Sequence, residues 1–275
     1  MDVQRFAAFS DGDTGGNPAG VVICDSLPVA ELMQQVAAEV GYSETAFAAP
    51  RAGGWRVRYF APRMEIPFCG HATIALGAAL ALQNGDGVFE LQINDGAITV
   101  EGRRTGERVA AALQSPPTRS APAPADQVVE ALRLFSLAAD DLDPMIPPAV
   151  ANAGANHLVL ALKRRERLSE MAYDLEAGRA LMTAGDLATI SLIVAETAGL
   201  FHARNPFAAG GVYEDPATGA AAAALGGYLR DLSWPHNGAI DIVQGQDMGM
   251  RSLLRAEIPA QAGASIRVSG AVRRL

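Results

Sequence analysis

Three short stretches hold the side chains that could do chemistry. Cys69-Gly70-His71 sets a thiol and an imidazole two residues apart, just before a run to Leu82 in which Thr73 is the one polar residue. Glu214-Asp215-Pro216-Ala217-Thr218-Gly219 sets carboxylates and a hydroxyl before a second such run, from Ala220 to Leu229. Glu44 stands alone in Ser43-Glu44-Thr45-Ala46-Phe47-Ala48, a carboxylate beside apolar strand positions. Imidazole and carboxylates are general acid/base candidates, and a thiol becomes a nucleophile once ionised. Each also has an ordinary structural reading. Cys69 can be a small buried hydrophobe, Asp215 a helix cap, and Glu44 a strand residue facing water. His71, His157, His202 and His236 are scattered, with no His-x-x-x-His or Cys-x-x-Cys, so no metal site is expected.

The elements that must position these residues are two unusual helices. A helix apolar all round has to be buried on every side. The run after His71 is too short to cross a bilayer, which takes roughly 20 residues, so it belongs in a core. Its first amides lack intrahelical partners and carry partial positive charge, which makes the mouth at Cys69-Gly70-His71 an anion site. Thr218-Gly219-Ala220 opens the second helix in the same way. Two such helices, one in each half of the chain, imply two similar lobes.

Around them the periodicities predict strands at Val3–Phe9, Val21–Ile23, Tyr42–Ala48, Trp55–Phe60 and Val109–Gln114, and an amphipathic helix over Val29–Val40 ended by Gly41. Asp11 to Gly20 reads as a turn-rich loop whose Asn17 serves either a local turn or a ligand. It lacks the ending of a phosphate loop. Val88–Val100 reads as a hairpin turning at Asn94-Asp95-Gly96. Ser115 to Ala125 is Pro-rich and aperiodic and reads as a linker, giving lobes at 1–116 and 117–275. In the second lobe a helix is expected at Asp126–Phe135, strands at His157–Leu162, Thr189–Ala195, Leu200–Ala203, Ile240–Val243, Ser252–Ile258 and Ser265–Ser269, and a loop over Asn205–Tyr213. Strands and helices interleave without a βαβ cadence, which favours curved mixed sheets, an α+β class, over a Rossmann fold.

Composition narrows the function classes. With 49% hydrophobic and 19% charged residues in 275, the chain is ordinary globular protein. A net charge of −8 and no basic cluster argue against nucleic acid, and nothing argues for a membrane. Two distant cysteines, Cys24 and Cys69, and an N-terminus unlike a signal peptide suggest a reducing, cytoplasmic setting.

Taken together, Gly16-Asn17-Pro18-Ala19-Gly20, Ser43-Glu44-Thr45, Pro67 to Thr73, Glu214 to Gly219, and Gln244-Gly245 with Met248-Gly249 resemble, in order, the motifs of the PhzF-like (phenazine biosynthesis) family. The resemblance covers the whole chain. It implies the diaminopimelate-epimerase-like fold, with two lobes related by a pseudo-twofold, each a curved mixed sheet or barrel around a central buried helix, and an active site in the cleft between them. The last strand, near 265–275, would complete the first lobe. It implies Glu44 as the acid/base, with His71 and Asp215 in the catalytic set and Asn17, Gly70, Thr73, Thr218, Gly219 and Ala220 at the substrate. It further implies a homodimer and a cofactor-independent isomerase that moves a proton between carbons of a small, amino-acid-like carboxylate. Racemases of this fold use two opposed cysteines, and the second mouth has none. Ala220 stands where a serine is frequent and Met250-Arg251 where Arg-Pro is usual. Two other readings stay open: a small-carboxylate binder without turnover, and a one-thiol epimerase using Cys69 with Glu44.

Overall fold

The computed structural model describes residues 1–275 apart from Asp95 and Glu107, and apart from the side chain of Thr105. The predicted turn at Asn94-Asp95-Gly96 therefore falls partly outside the described residues. The chain forms two compact units, Met1–Gln114 with Ser269–Leu275, and Ser115–Val268.

In the first unit the order is β1 (Gln4–Ala8), β2 (Asn17–Ile23), α1 (Ala30–Val40), β3 (Thr45–Arg51), β4 (Gly54–Ala61), β5 (Met64–Ile66), α2 (Gly70–Asn84), β6 (Gly87–Ile93), β7 (Gly96–Thr105) and β8 (Arg108–Pro117). The second contains β9 (Arg119–Pro122), α3 (Ala125–Leu134), β10 (Ala149–Asn152), β11 (Asn156–Ala161), α4 (Arg165–Ser169), α5 (Leu175–Ala184), β12 (Thr189–Ala195), β13 (Leu200–Phe207), β14 (Val212–Asp215), α6 (Gly219–Asp231), β15 (Ala239–Gln244) and β16 (Ser252–Glu257). The last strand, β17 (Ser265–Arg274), is shared between the units, as is β8 through its final residues.

Strand pairing follows one scheme in both. β1 and β2 run antiparallel, β2 and β3 parallel, β3 and β4 antiparallel, and β4 pairs β5 antiparallel and β6 parallel. β10 to β15 repeat this sequence of pairings, with β11–β12 and β13–β15 as the parallel pairs. The sheet is mixed, as expected. It does contain helix-bearing parallel crossovers, through α1, α2, α4 with α5, and α6, which the irregular spacing of elements concealed. The C-terminal part of β17 pairs with β1 (Ala7↔Arg273), as β9 pairs with β10 (Val150↔Ala121).

The Pro-rich stretch read as a linker is largely strand, comprising the end of β8 and all of β9. Two other segments read as loops are also strand, Asn17–Gly20 in β2 and Asn205–Phe207 in β13. Their prolines are tolerated because the inner ladders stop short of them. The parallel pairing of β2 with β3 starts at Gly20, and that of β13 with β15 ends at Ala203.

Both central helices are buried as their composition requires. Every residue of α2 from His71 to Ala81 is buried, and so is α6 from Ala221 to Arg230. Small residues let α2 lie directly on β7: a Cβ on Gly102 would stand 2.2 Å from the Gly77 carbonyl oxygen. Gly227 of α6 is pressed against Thr118 in the same way, with 2.6 Å to the threonine Cβ. α1 packs the opposite way, through one stripe, Met33, Val36 and Ala37, onto Val22, Phe47 and Phe60. It ends at Gly41 in the left-handed region (φ 71°).

Candidate active site

Two elements, the end of the β2–β3 crossover and the start of α2, bring the first set of reactive side chains together. Glu44 directly precedes β3, and its backbone carbonyl accepts a hydrogen bond from Gly20 N–H (3.1 Å). That anchor turns the side chain inward, so Glu44 is 8% exposed and does not face water. Its Oε2 lies 3.2 Å from His71 Nε2, in the first turn of α2. The contact lacks hydrogen-bond direction, and Oε2 is a buried acceptor without a hydrogen-bond partner. Such an atom is costly unless a proton or a ligand meets it. Ser43 Oγ also approaches His71 Nε2, at 3.4 Å.

Cys69 sits at the N-cap of α2 and caps nothing with its side chain. Its Sγ is 3.4 Å from His71 Nδ1 and 3.9 Å from Nε2. Glu44, Cys69 and His71 are all buried, and one potential ligand atom from each lies within 4.8 Å of the others. This is a donor set that linear metal spacing could not reveal, because Glu44 is far from Cys69 in sequence.

Thr73, expected at the substrate, is fully buried and braces the mouth from below. Its hydroxyl donates to the Cys69 carbonyl (2.7 Å) and shares a 2.6 Å hydrogen bond with the Tyr59 hydroxyl. Burial pushes the Tyr59 phenol far above its ordinary pKa, with the Thr73 hydrogen bond acting in the opposite sense, so it stays neutral. Gly70 begins α2, and no side chain caps that end. Its amides therefore present the partial positive charge that an anion would use. Asn17 is buried at the start of β2, opposite Ala8.

In the second unit the mouth of α6 is a closed hydrogen-bonded turn. Asp215 Oδ2 accepts from Thr218 Oγ1 at 2.6 Å. Gln244, at the end of β15, donates through Nε2 to the Asp215 carbonyl (2.7 Å) and the Thr218 hydroxyl (3.0 Å), and accepts from Thr218 N–H at 3.2 Å. The next residue, Gly245, has φ 71°, and a Cβ there would come within 2.7 Å of the Pro216 carbonyl oxygen. Gly219 and Ala220 open α6, Ala220 being partly exposed. Beside this turn, Glu214 makes a two-pronged ion pair with Arg204 (3.0 and 2.5 Å), while Arg204 also donates to the carbonyls of Ser169 and Met171. Both charges are buried, and both are satisfied.

In the sequence Ser43 and Gln244 stand within motifs and carry no role of their own. Gln244 had one visible signal, a polar residue closing the apolar strand Ile240–Val243 just before a glycine. Arg204 and Tyr59 had none, because nothing in their neighbourhoods marks a partner in a following element.

Similarity to known proteins identifies the family. The phenazine biosynthesis-like protein family (PhzC-PhzF) matches residues 6–273. The trans-2,3-dihydro-3-hydroxyanthranilate isomerase of Pseudomonas fluorescens is 31% identical over 96% of this chain and 93% of its own. Among solved structures, a PhzF-family phenazine biosynthesis protein of Bacillus anthracis superposes with a TM-score of 0.86, at 22% identity, over 100% of this chain and 98% of that one. A hydroxyproline epimerase of Agrobacterium vitis shares the α+β, epimerase-like fold at a TM-score of 0.61 and 10% identity, over 99% of this chain and 88% of that one. With a family match running almost from end to end and curated relatives that are isomerases, this chain belongs to the PhzC-PhzF, phenazine biosynthesis-like, family and is an isomerase.

Proposed function

We propose that the protein moves a proton between two carbons of a small, amino-acid-like carboxylate, with Glu44 as the general acid/base and no cofactor needed for the step. The observation that carries this reading is the Glu44 carboxylate itself, buried, with Oε2 lacking a hydrogen-bond partner, beside His71 at the uncapped start of α2. A single carboxylate can remove a proton from one carbon and return it to another on the same face. The first amides of α2 would hold the substrate carboxylate and stabilise negative charge as it spreads toward it. His71 and Ser43 would orient the Glu44 carboxylate. Asp215 and the turn opening α6 are assigned to substrate recognition.

The test is hydrogen exchange with D₂O followed by NMR, with trans-2,3-dihydro-3-hydroxyanthranilate and other cyclic amino-acid-like carboxylates as probes. Glu44→Gln keeps the shape of the side chain but cannot carry a proton. It is expected to bind the active probe and to lose C–H exchange by at least about 10²-fold. Exchange at the wild-type rate in Glu44→Gln would move the proton carrier elsewhere. Binding without exchange in the wild type would make the protein a carboxylate binder.

A further inference from the structure

At the mouth of α6 the hydrogen bonds run in a direction that two backbone groups dictate. Thr218 N–H can only donate, so the Gln244 side chain turns Oε1 toward it (3.2 Å). The Asp215 carbonyl can only accept, which sets Gln244 Nε2 against it (2.7 Å). The same Nε2 then donates into Thr218 Oγ1 at 3.0 Å. With its oxygen already accepting, the threonine hydroxyl sends its own proton onward. Among the described residues the acceptor in its reach is Asp215 Oδ2, at 2.6 Å. Gln244 is not free to turn away. It is 1% exposed, and as the last residue of β15 it is held by ladders on both sides, opposite Ala203 of β13 and Ser252 of β16.

We propose that Gln244 is a positioning residue for substrate recognition: it fixes a one-way chain from Gln244 through the Thr218 hydroxyl to Asp215, which stands at its end as an ionised acceptor. A hydrogen bond to the charged form of a carboxylate favours that form, and the amino end of α6 adds partial positive charge beside it. The other charges packed around the turn are paired with one another, Glu214 with Arg204 and Asp247 with Arg165, so they bear on Asp215 alike whether or not the chain is intact. An ionised carboxylate has no proton to offer. Whatever part of the substrate meets Asp215 must therefore donate to it, as an ammonium or a hydroxyl does and a substrate carboxylate does not. That consequence rests on the assignment of Asp215 to substrate recognition, whereas the direction of the chain does not.

The experiment labels the aspartate carboxyls of the full-length protein with ¹³C, assigns the Asp215 signal by its loss in Asp215→Asn, and follows it through an acid titration without ligand. Gln244→Met keeps the length of the side chain but has no donor. It should raise the midpoint of the Asp215 signal by about one pH unit, a tenfold gain in proton affinity. The dissociation constant for trans-2,3-dihydro-3-hydroxyanthranilate should rise about fivefold, the worth of one ordinary hydrogen bond, with the exchange rate at saturation little changed. If Gln244→Met does not fold, a pair at the middle of the chain decides the same point. Thr218→Val should move the midpoint in the same sense, and Thr218→Ser, which keeps the hydroxyl, should hold it at the wild-type value. A side chain that merely braced the turn would lower the melting temperature and leave the midpoint where it is. Equal Asp215 midpoints in the wild type and in the folded variants that break the chain therefore overturn the proposal. A moved midpoint with unchanged affinity for the probe would leave the chain standing and remove Asp215 from substrate recognition.

Discussion

At the scale of single residues, function turns on buried polar atoms and who meets them. Glu44 Oε2 has no hydrogen bond, while Asp215 is engaged by the Thr218 hydroxyl within a network that Gln244 completes. The two carboxylates should therefore respond differently to neutralisation. Asp215→Asn weakens a charge-assisted hydrogen bond of the kind worth about 1.5–3 kcal/mol and loosens the turn that opens α6. The expected outcome is a raised KM and a fall of about tenfold or more in kcat/KM. Thr218→Val, which keeps the charge, should reproduce the loss of stability without the full loss of affinity. His71→Asn removes the nitrogen that faces Glu44 and should lower kcat as well as raise KM. Steady-state exchange kinetics on the three variants check this, and equal effects on KM alone would remove His71 from the chemistry.

At the scale of elements, the site depends on how tightly α2 seats on β7. Gly102 leaves room for the Gly77 carbonyl, and a methyl group there would lie 2.2 Å from that oxygen and 2.7 Å from Ala81 Cβ. Neither is the movable end of a long side chain, so the helix itself must shift. Gly102→Ala is expected to cost about 2–3 kcal/mol, at the upper end for overpacking, and to lower activity by displacing the mouth at Gly70-His71. Gly199→Ala, with open space around its Cβ position, should stay within about 0.5 kcal/mol. Denaturant melts of the two variants compare them directly, and similar midpoints would mean that the α2–β7 contact yields easily.

At the scale of the whole molecule, His157 links folding to pH. It lies 1% exposed on β11, with Nδ1 hydrogen-bonded to Thr189 Oγ1 at 2.8 Å and Nε2 without a hydrogen-bond partner. Burial lowers its pKa to about 4, below the usual 6.5. The folded state thus holds the neutral ring while the unfolded chain takes up a proton. This contribution is complete above pH 6.5 and is lost as pH falls toward 4, for a total of about 3 kcal/mol at about 1.4 kcal/mol per pKa unit. His157→Asn should flatten the stability profile across that window, as read by urea melts from pH 7 to 4. A wild-type profile without slope there would show that the ring is protonated in place. Among the described residues no helix is long and apolar enough to cross a membrane.

What was legible in the chain followed from composition acting locally. Runs of about ten apolar residues after His71 and again after Gly219 could only be buried helices, and the stripe from Met33 to Ala37 with Gly41 behind it could only be an amphipathic one. The ordered motifs carried the family, and with it the fold. Other features were invisible for an equally physical reason. Asn17–Gly20 and Asn205–Phe207 carry turn residues, yet antiparallel ladders with the neighbouring strands β1 and β14 hold them as strand. α5 leaves little trace in the sequence although Asp174 caps it through Ala177 N–H, because its periodicity is short and interrupted by Gly178. The meeting of Glu44 with Cys69 and His71, and of Asp215 with Gln244, depends on parallel crossovers that place remote segments side by side. Spacing along a chain encodes what neighbours do to one another, whereas a reactive cluster is made by residues that become neighbours only when strands pair.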